Sequence, residues 1–130
     1  MRKFGAGYGL YFNKKHKRQG HLFQGRFKAV HIESDGQLKV VLNYIFTNPV
    51  SLIAPAWKEG GTRYPKKALH FLKDYKWSSY QDCIGIKNFP SVTERKFVLE
   101  VMGGTKGCKK SVREWVSCKK RIFSPFAILE

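Results

Sequence analysis

Acidic side chains are scarce in this sequence. Asp and Glu together number 9 against 25 Lys and Arg, which leaves a formal net charge of +16. The first 32 residues contain eight basic side chains and no acid, and Glu33 is the first acidic residue. Such an excess of one sign indicates a polyanionic partner, and nucleic acid is the default candidate. An anionic membrane surface is the competitor, but no stretch reads as a helix that is basic on one face and bulky and apolar on the other.

Long apolar runs and paired cysteines are missing as well. No stretch of about 18 apolar residues is present, so we expect no membrane-spanning helix. No apolar region follows the basic N-terminus, so we expect no signal peptide. The three cysteines, Cys83, Cys108 and Cys118, show no Cys-x-x-Cys spacing, so they match neither a zinc site nor a disulfide framework and fit a reducing cytosol. The Gly- and Lys-rich stretch 103–111 lacks the P-loop spacing, which argues against a P-loop nucleoside triphosphatase.

The sequence nevertheless predicts a folded chain, because 42% of its residues are hydrophobic. Its length suits one domain with one core. A helix is predicted between a cap at Ser34 or Asp35 and a stop at Pro49, which disfavours helical geometry at the residue before it. Its inward stripe is predicted from the helical spacing of four apolar residues: Leu38, Val41, Leu42 and Ile45.

Tyr44 and Asn48 lie one turn apart on the flank of that stripe. A phenol and an amide together near a helix end, at the border between core and water, could form half of an active site. The structural alternatives are that the tyrosine ring packs in the core with its hydroxyl at the surface, and that the asparagine caps the helix.

The N-terminal part predicts the end of a helix, a basic turn closed by Gly20, and then a strand. Residues 21–32 alternate with a period of two, which predicts a strand with a polar, basic face. Basic residues interleaved with aromatic ones favour the binding of phosphates and bases over a merely solvated face. After residue 57 the sequence predicts an exposed loop at 58–65 and a short helix at 66–73. Capping boxes at 78–81 and 91–94 predict two further helix starts, and the second of these helices is predicted to end at Gly103-Gly104. A basic helix is predicted at 109–120.

Three blocks occur in a fixed order along the chain: HLFQGRFKA at 21–29, YIFTNPV at 44–50 and WSSY at 77–80. Together they closely resemble the REP-associated tyrosine transposases, which belong to the wider group of single-tyrosine HUH transposases. The resemblance covers most of residues 7–85. It implies an α+β fold, namely the second half of a ferredoxin-like transposase domain with few antiparallel strands, followed by a helical C-terminal extension. The implied division is 1–57 for the catalytic half-domain and 58–130 for the extension.

The resemblance further implies single-stranded DNA cleavage and strand transfer by a DNA-binding protein. Tyr44 would be the nucleophile that forms a 5′-phosphotyrosine and releases a 3′-hydroxyl. A phenol is a weak nucleophile at neutral pH, so a divalent ion on the phosphate would assist it. Asn48 would help hold that ion, Mg²⁺ or Mn²⁺, since an amide oxygen is a hard ligand.

The resemblance implies single-stranded or hairpin DNA as the partner, a monomer or homodimer, no membrane, and a cytoplasmic, nucleoid-associated location. The predicted DNA-binding residues are the basic and polar side chains of the first block and the turn before it: Lys14, Lys15, Lys17, Arg18, His21, Gln24, Arg26 and Lys28. Phe23, Trp77 and Tyr80 could stack on bases, although core packing is favoured for Phe23 and Trp77 because large aromatic residues dominate cores.

Two positions depart from the family pattern. Phe46 stands where members often carry a histidine, and the His-apolar-His metal motif is absent, because no two histidines are separated by one residue. We therefore expect this chain to correspond to an N-terminally incomplete family domain that lacks the main metal ligands. Three readings stay open: a strand transferase, a non-catalytic nucleic-acid-binding module derived from one, and a basic structural protein of a ribonucleoprotein.

Overall fold

In the computed structural model, residues 2–25 and 28–118 are described, and every regular element among them is helical. The chain divides into two compact units, Met1–His31 and Ile32–Glu130. Seven α-helices and one 3₁₀ helix are present in the described part: α1 Arg2–Lys15, α2 Asp35–Thr47, the 3₁₀ helix Asn48–Leu52, α3 Trp57–Gly60, α4 Pro65–Asp74, α5 Tyr80–Cys83, α6 Arg95–Met102 and α7 Gly104–Ser117. Among them, none combines the length and the hydropathy that crossing a bilayer would require.

The predicted α+β fold with a partial ferredoxin-like domain is wrong for the described residues, because none of them lies in a strand. The described part of the predicted strand at 21–32 consists of bends and irregular backbone. Alternation of polar and apolar residues predicts a strand only if a second strand pairs with it, since backbone groups on a lone strand have no partners. The alternating pattern of one segment does not indicate whether a second strand is present to pair with it.

The first unit consists of α1 and the basic turn that follows it. No residue of α1 is buried. The turn forms as predicted: Lys17 and Gly20 both have positive φ, and the Asn13 side-chain amide donates a hydrogen bond to the Gly20 carbonyl at 2.7 Å. The Tyr8 ring lies 6.4 Å from the Phe23 ring, centroid to centroid, so an aromatic contact links α1 to the segment after the turn.

The second unit is a helical assembly around α7. Cys108, Val112 and Val116 recur at a spacing of four, so they form one stripe along α7, and all three are fully buried. This stripe allows α7 to pack against α2, α4, α5 and α6. The rest of the core comes from the other helices and the segments beside them: Phe46, Val50, Trp57, Ala68, Leu72, Tyr80, Cys83, Ile84 and Met102.

The buried face of α2 differs from the predicted stripe. Ile45 is 51% exposed, whereas Asn43, Phe46 and Thr47 are buried. Asn43 can be buried because its amide exchanges two hydrogen bonds with the Ser111 hydroxyl on α7, at 2.8 and 3.1 Å. The Thr47 hydroxyl donates to the Asn43 carbonyl within the helix. Asn43 and Thr47, whose polar groups are hydrogen-bonded, thus lie on the buried face of α2, where the sequence pattern predicts apolar residues.

The predicted ends of α2 are confirmed. The Ser34 hydroxyl accepts a hydrogen bond from the Gln37 amide at 3.2 Å, which makes it the N-cap. The α-helix ends at Thr47, and Pro49 lies in the first turn of the 3₁₀ helix that continues the chain. The predicted end of α6 is confirmed too, since Gly103 caps it with a φ of 75°. The capping box at 78–81 does not form, because the side-chain amide of Gln81 donates to the Lys73 carbonyl and α5 begins at Tyr80.

Replacement of Gly107 by Ala should destabilise the protein by about 2 kcal/mol, since overpacking typically costs ~1–3 kcal/mol. A Cβ at this position would lie 1.9 Å from the Met102 carbonyl oxygen, so the backbone between α6 and α7 would have to shift. Gly36→Ala is the matched control, because its Cβ would meet only the Ser34 hydroxyl at 3.9 Å within a helix that alanine favours. Urea unfolding of both variants measures the difference. Equal stability of the two would contradict the packing at Gly107.

Candidate functional site

The last turn of α2 and the residue that caps it present Tyr44 and Asn48 on one flank. The Asn48 backbone amide donates a hydrogen bond to the Tyr44 carbonyl, so the helical spacing that places them together is intact. Phe46 and Val50, on the neighbouring face, are buried and fix the helix against the core. Tyr44 is half-buried and Asn48 is exposed. The two residues therefore lie at the border between core and water.

Lys58 joins these two side chains. Its Nζ donates a hydrogen bond to Asn48 Oδ1 at 2.7 Å and another to the Tyr44 hydroxyl oxygen at 3.2 Å. The same Nζ lies 4.8 Å from the centroid of the Tyr44 ring, a cation–π distance. We call Tyr44, Asn48 and Lys58 the phenol–amide–lysine cluster. It combines one positive charge, a phenol and an amide within a few ångströms.

The position of Lys58 follows from its neighbour. Trp57 is 2% exposed, and its indole N–H donates to the Ser51 hydroxyl at 2.9 Å, which fixes the start of α3 to the 3₁₀ helix. Gly61 ends α3 with a φ of 75°. With the indole of Trp57 in the core, the next side chain along the helix, that of Lys58, reaches Tyr44 and Asn48 at the end of α2.

An open cavity of about 610 Å³ adjoins the cluster. Its polar and aromatic lining comes from the 3₁₀ helix, from α3 and from the segment before α5: Asn48, Ser51, Lys58, Tyr75, Trp77, Ser78 and Ser79. Asn48 and Lys58 are the members of the cluster that line it, and Tyr44 lies outside the lining. The second and third sequence blocks, which are nearly thirty positions apart, therefore line the same cavity. Among the lining residues whose side chains the structure describes, none is acidic.

Two of the predicted aromatic positions differ from expectation. Trp77 is 69% exposed at the edge of the cavity, and Phe23 is exposed as well, so the predicted core packing of both residues is wrong. Tyr80 is the buried member of the set, with 4% exposure and a ring centroid 5.5 Å from that of Phe46. Burial raises the pKa of the Tyr80 phenol to about 12, so it stays protonated and uncharged in the core. Stacking of Tyr80 on a base is excluded by this burial.

The predicted DNA-binding side chains in the described part are all exposed: Lys14, Lys15, Lys17, Arg18, His21, Gln24 and Lys28. Arg26 lies outside the described residues. All these positions belong to the first unit, whereas Tyr44 and Asn48 belong to the second. Within the first unit, Lys15 Nζ lies 5.6 Å from the centroid of the Tyr11 ring, and Arg18 lies 5.9 Å from that of Phe12. Cationic and aromatic groups are thus interleaved on the surface of α1 and its turn.

The residues of the cluster do not fit a divalent metal ion. The oxygen of Asn48 that would serve as a ligand already accepts a hydrogen bond from the Lys58 ammonium, and a second cation there would be repelled. Across residues 2–25 and 28–118, no three His, Cys, Asp or Glu side chains are grouped as metal ligands would be. The Mg²⁺ or Mn²⁺ role that the family resemblance implies for Asn48 is therefore not supported by this arrangement.

The sequence reasoning missed Lys58 and the two serines at 78 and 79. Lys58 was assigned to an exposed loop, because a single lysine beside a Gly-Gly pair carries no signal in a chain with 25 basic residues. The available signal was indirect. A tryptophan at the start of a short helix tends to be buried, and the adjacent side chain then points elsewhere.

Lys58→Met should lower the free energy of unfolding by no more than about 1 kcal/mol, because the lost hydrogen bonds lie at the surface and water can replace them. Asn43→Ala is the comparison, and should cost about 2 kcal/mol since it leaves the Ser111 hydroxyl without its buried partner. Urea unfolding monitored by circular dichroism measures both. A loss for Lys58→Met as large as that for Asn43→Ala would show that Lys58 mainly stabilises the fold.

No family model, no curated protein and no solved structure matches this chain. The resemblance to transposases therefore stays a prediction that depends on the three sequence blocks. The functional argument below depends on the phenol–amide–lysine cluster and the cavity beside it.

Proposed function

We propose that this protein binds DNA, and that the phenol–amide–lysine cluster binds a backbone phosphate. The observation that carries the proposal is the Lys58 side chain in the lining of a cavity whose described lining residues include no acid. A lysine ammonium binds a phosphate as a point charge. The amide of Asn48 and the hydroxyl groups of Tyr44, Ser78 and Ser79 can add neutral hydrogen bonds. The cluster therefore has the composition of a phosphate site.

The charge of the whole chain supports the same proposal. A net charge of +16 concentrates a polyanion around the protein and speeds its association. The acid-free N-terminal unit, with its exposed cations and aromatic rings, supplies further contacts that do not depend on base sequence. By comparison, a second cavity of about 490 Å³ is lined by Asp82 and Glu94 but also by Arg95 and Lys96, so the formal charges of its lining cancel. The described lining of the cavity beside Lys58 has an excess of positive charge instead.

A second candidate function is strand cleavage by Tyr44, as the family resemblance implies. It is favoured by one specific contact, the 3.2 Å between Lys58 Nζ and the phenolic oxygen, because the cation that binds the phosphate also touches the nucleophile. In this step, the phenolic oxygen bonds to phosphorus and the bond from phosphorus to the 3′ oxygen breaks. The leaving oxygen takes up a proton to become a 3′-hydroxyl, and the phenolic proton passes to solvent. The product on the protein is a 5′-phosphotyrosine.

Lys58→Met should weaken the binding of a single-stranded hairpin oligonucleotide by about ten-fold, and should lower the salt dependence by about one ion, since one phosphate contact is lost. Fluorescence anisotropy at several salt concentrations measures both quantities. Lys67→Met is the matched control, because Lys67 is an exposed lysine on α4 that does not line the cavity.

Two results would contradict this proposal. Equal losses in the two lysine variants would show that the protein binds through general charge rather than through the cluster. Preference for an RNA hairpin over a DNA hairpin of equal charge would favour the ribonucleoprotein reading instead.

Cleavage should appear as a covalent protein–DNA adduct that survives denaturing electrophoresis. Tyr44→Phe should abolish the adduct while leaving hairpin binding within about two-fold of the parent, because only a hydroxyl is removed from the phosphate site. Tyr64→Phe is the control, since Tyr64 is an exposed tyrosine away from the cavity lining. Tight binding of the hairpin by the parent protein without any adduct would leave the non-catalytic binding module as the function.

A further inference from the structure

Trp77 is the largest exposed apolar side chain at the rim of the cavity. A ring of this size normally contributes to a core, so 69% exposure leaves a large apolar surface in contact with water. Its position is specific, because Trp77 lines the same cavity as Lys58, Ser78 and Ser79. The exposed indole therefore belongs to the surface around the proposed phosphate site.

A second exposed ring extends this surface. The Phe89 ring lies nearly parallel to that of Trp77, at an angle of 20° and a centroid distance of 6.1 Å. Lys76 Nζ lies 4.9 Å from the centroid of the Trp77 ring. We call Trp77 and Phe89 the aromatic platform. Two adjacent rings with cations beside them match the composition of surfaces that bind single-stranded nucleic acid, where bases stack and phosphates pair with lysines.

The backbone under the aromatic platform is fixed by buried polar contacts. The Asp82 carboxylate, 3% exposed, accepts hydrogen bonds from the backbone amides of Asn88 and Phe89, both at 3.0 Å. The side-chain amide of Asn88 donates to the Lys76 carbonyl, next to Trp77. These contacts tie both ring-bearing segments to α5 and to each other. A platform that is already ordered loses little conformational freedom when a ligand binds.

We infer that the aromatic platform stacks on one unpaired base of a DNA strand whose phosphate is bound by Lys58. This inference depends on the proposed DNA binding and extends it to the selection of single strands. In a duplex both faces of a base are covered by its neighbours, whereas an unpaired base exposes a face to an aromatic ring. Stacking tolerates any base, so the platform would select for single-stranded character rather than for sequence. Lys58 lines the same cavity as Trp77 and Lys76 lies against the indole ring, and these two cations suit an anionic strand better than an apolar partner.

The test uses two single-stranded DNA oligonucleotides of equal length and charge, one of thymidines and one with abasic sites, and the full chain. The parent protein should bind the thymidine strand about ten-fold more tightly than the abasic strand, because only the former can stack. Trp77→Ala should bind the two strands with equal affinity. Trp77→Phe should keep most of the discrimination, since a smaller ring still stacks. Phe97→Ala, which removes a 54% exposed ring on α6, is the control and should behave as the parent.

The outcomes separate this inference from the proposed function. Absence of binding to either strand would overturn both. Equal affinity of the parent protein for the two strands, or full discrimination retained by Trp77→Ala, would overturn the platform and leave DNA binding intact. Preference for a duplex, or tighter binding of a uridine RNA strand than of the thymidine strand, would also overturn the inference as stated for single-stranded DNA. The inference is supported if Trp77→Ala no longer distinguishes the thymidine strand from the abasic strand while the parent, Trp77→Phe and Phe97→Ala still do.

Discussion

The apolar stripe of α7 is the element on which the rest of the second unit depends. Full burial of a valine contributes roughly 1.5 to 3 kcal/mol, and Val112 and Val116 are both completely buried. The same helix carries Ser111, whose hydroxyl pairs with Asn43 and so selects which face of α2 turns inward. With Asn43 and Phe46 inside, Tyr44 and Asn48 are left at the margin of the core. The geometry of the candidate site is thus a consequence of how α7 packs.

Features determined by neighbouring residues could be predicted from the sequence, and features determined by distant partners could not. The cap at Ser34, the stop before Pro49 and the left-handed Gly103 each depend on local backbone chemistry, and all three were predicted correctly. The inward face of α2 depends on a hydroxyl group 68 residues away, and no periodicity within the helix contains that information. The strand at 21–32 failed for a related reason, because alternation describes one strand and not the neighbour it needs.

The same distinction applies to the candidate site. The spacing of Tyr44 and Asn48 predicted that they share one flank of a helix, and in the structure both contact Lys58. The third block was recognised as a motif, yet its tryptophan was expected in the core. Its indole is 69% exposed, beside a segment whose backbone amides at Asn88 and Phe89 bond to the buried carboxylate of Asp82. A buried acid that organises a loop leaves no pattern in the sequence that distinguishes it from a surface acid.

The chemistry of Lys58 determines which function the cluster can perform well. An ammonium group carries one positive charge, half that of a divalent metal ion. The Lys58 ammonium can bind a phosphate, but it would polarise the phosphate less than a divalent ion does, because the electrostatic energy scales with the charge of the cation. A phenol beside a monovalent cation would therefore support the proposed phosphate binding better than the proposed cleavage. For this reason binding is the primary proposal and cleavage the secondary one, although the same three side chains would serve both.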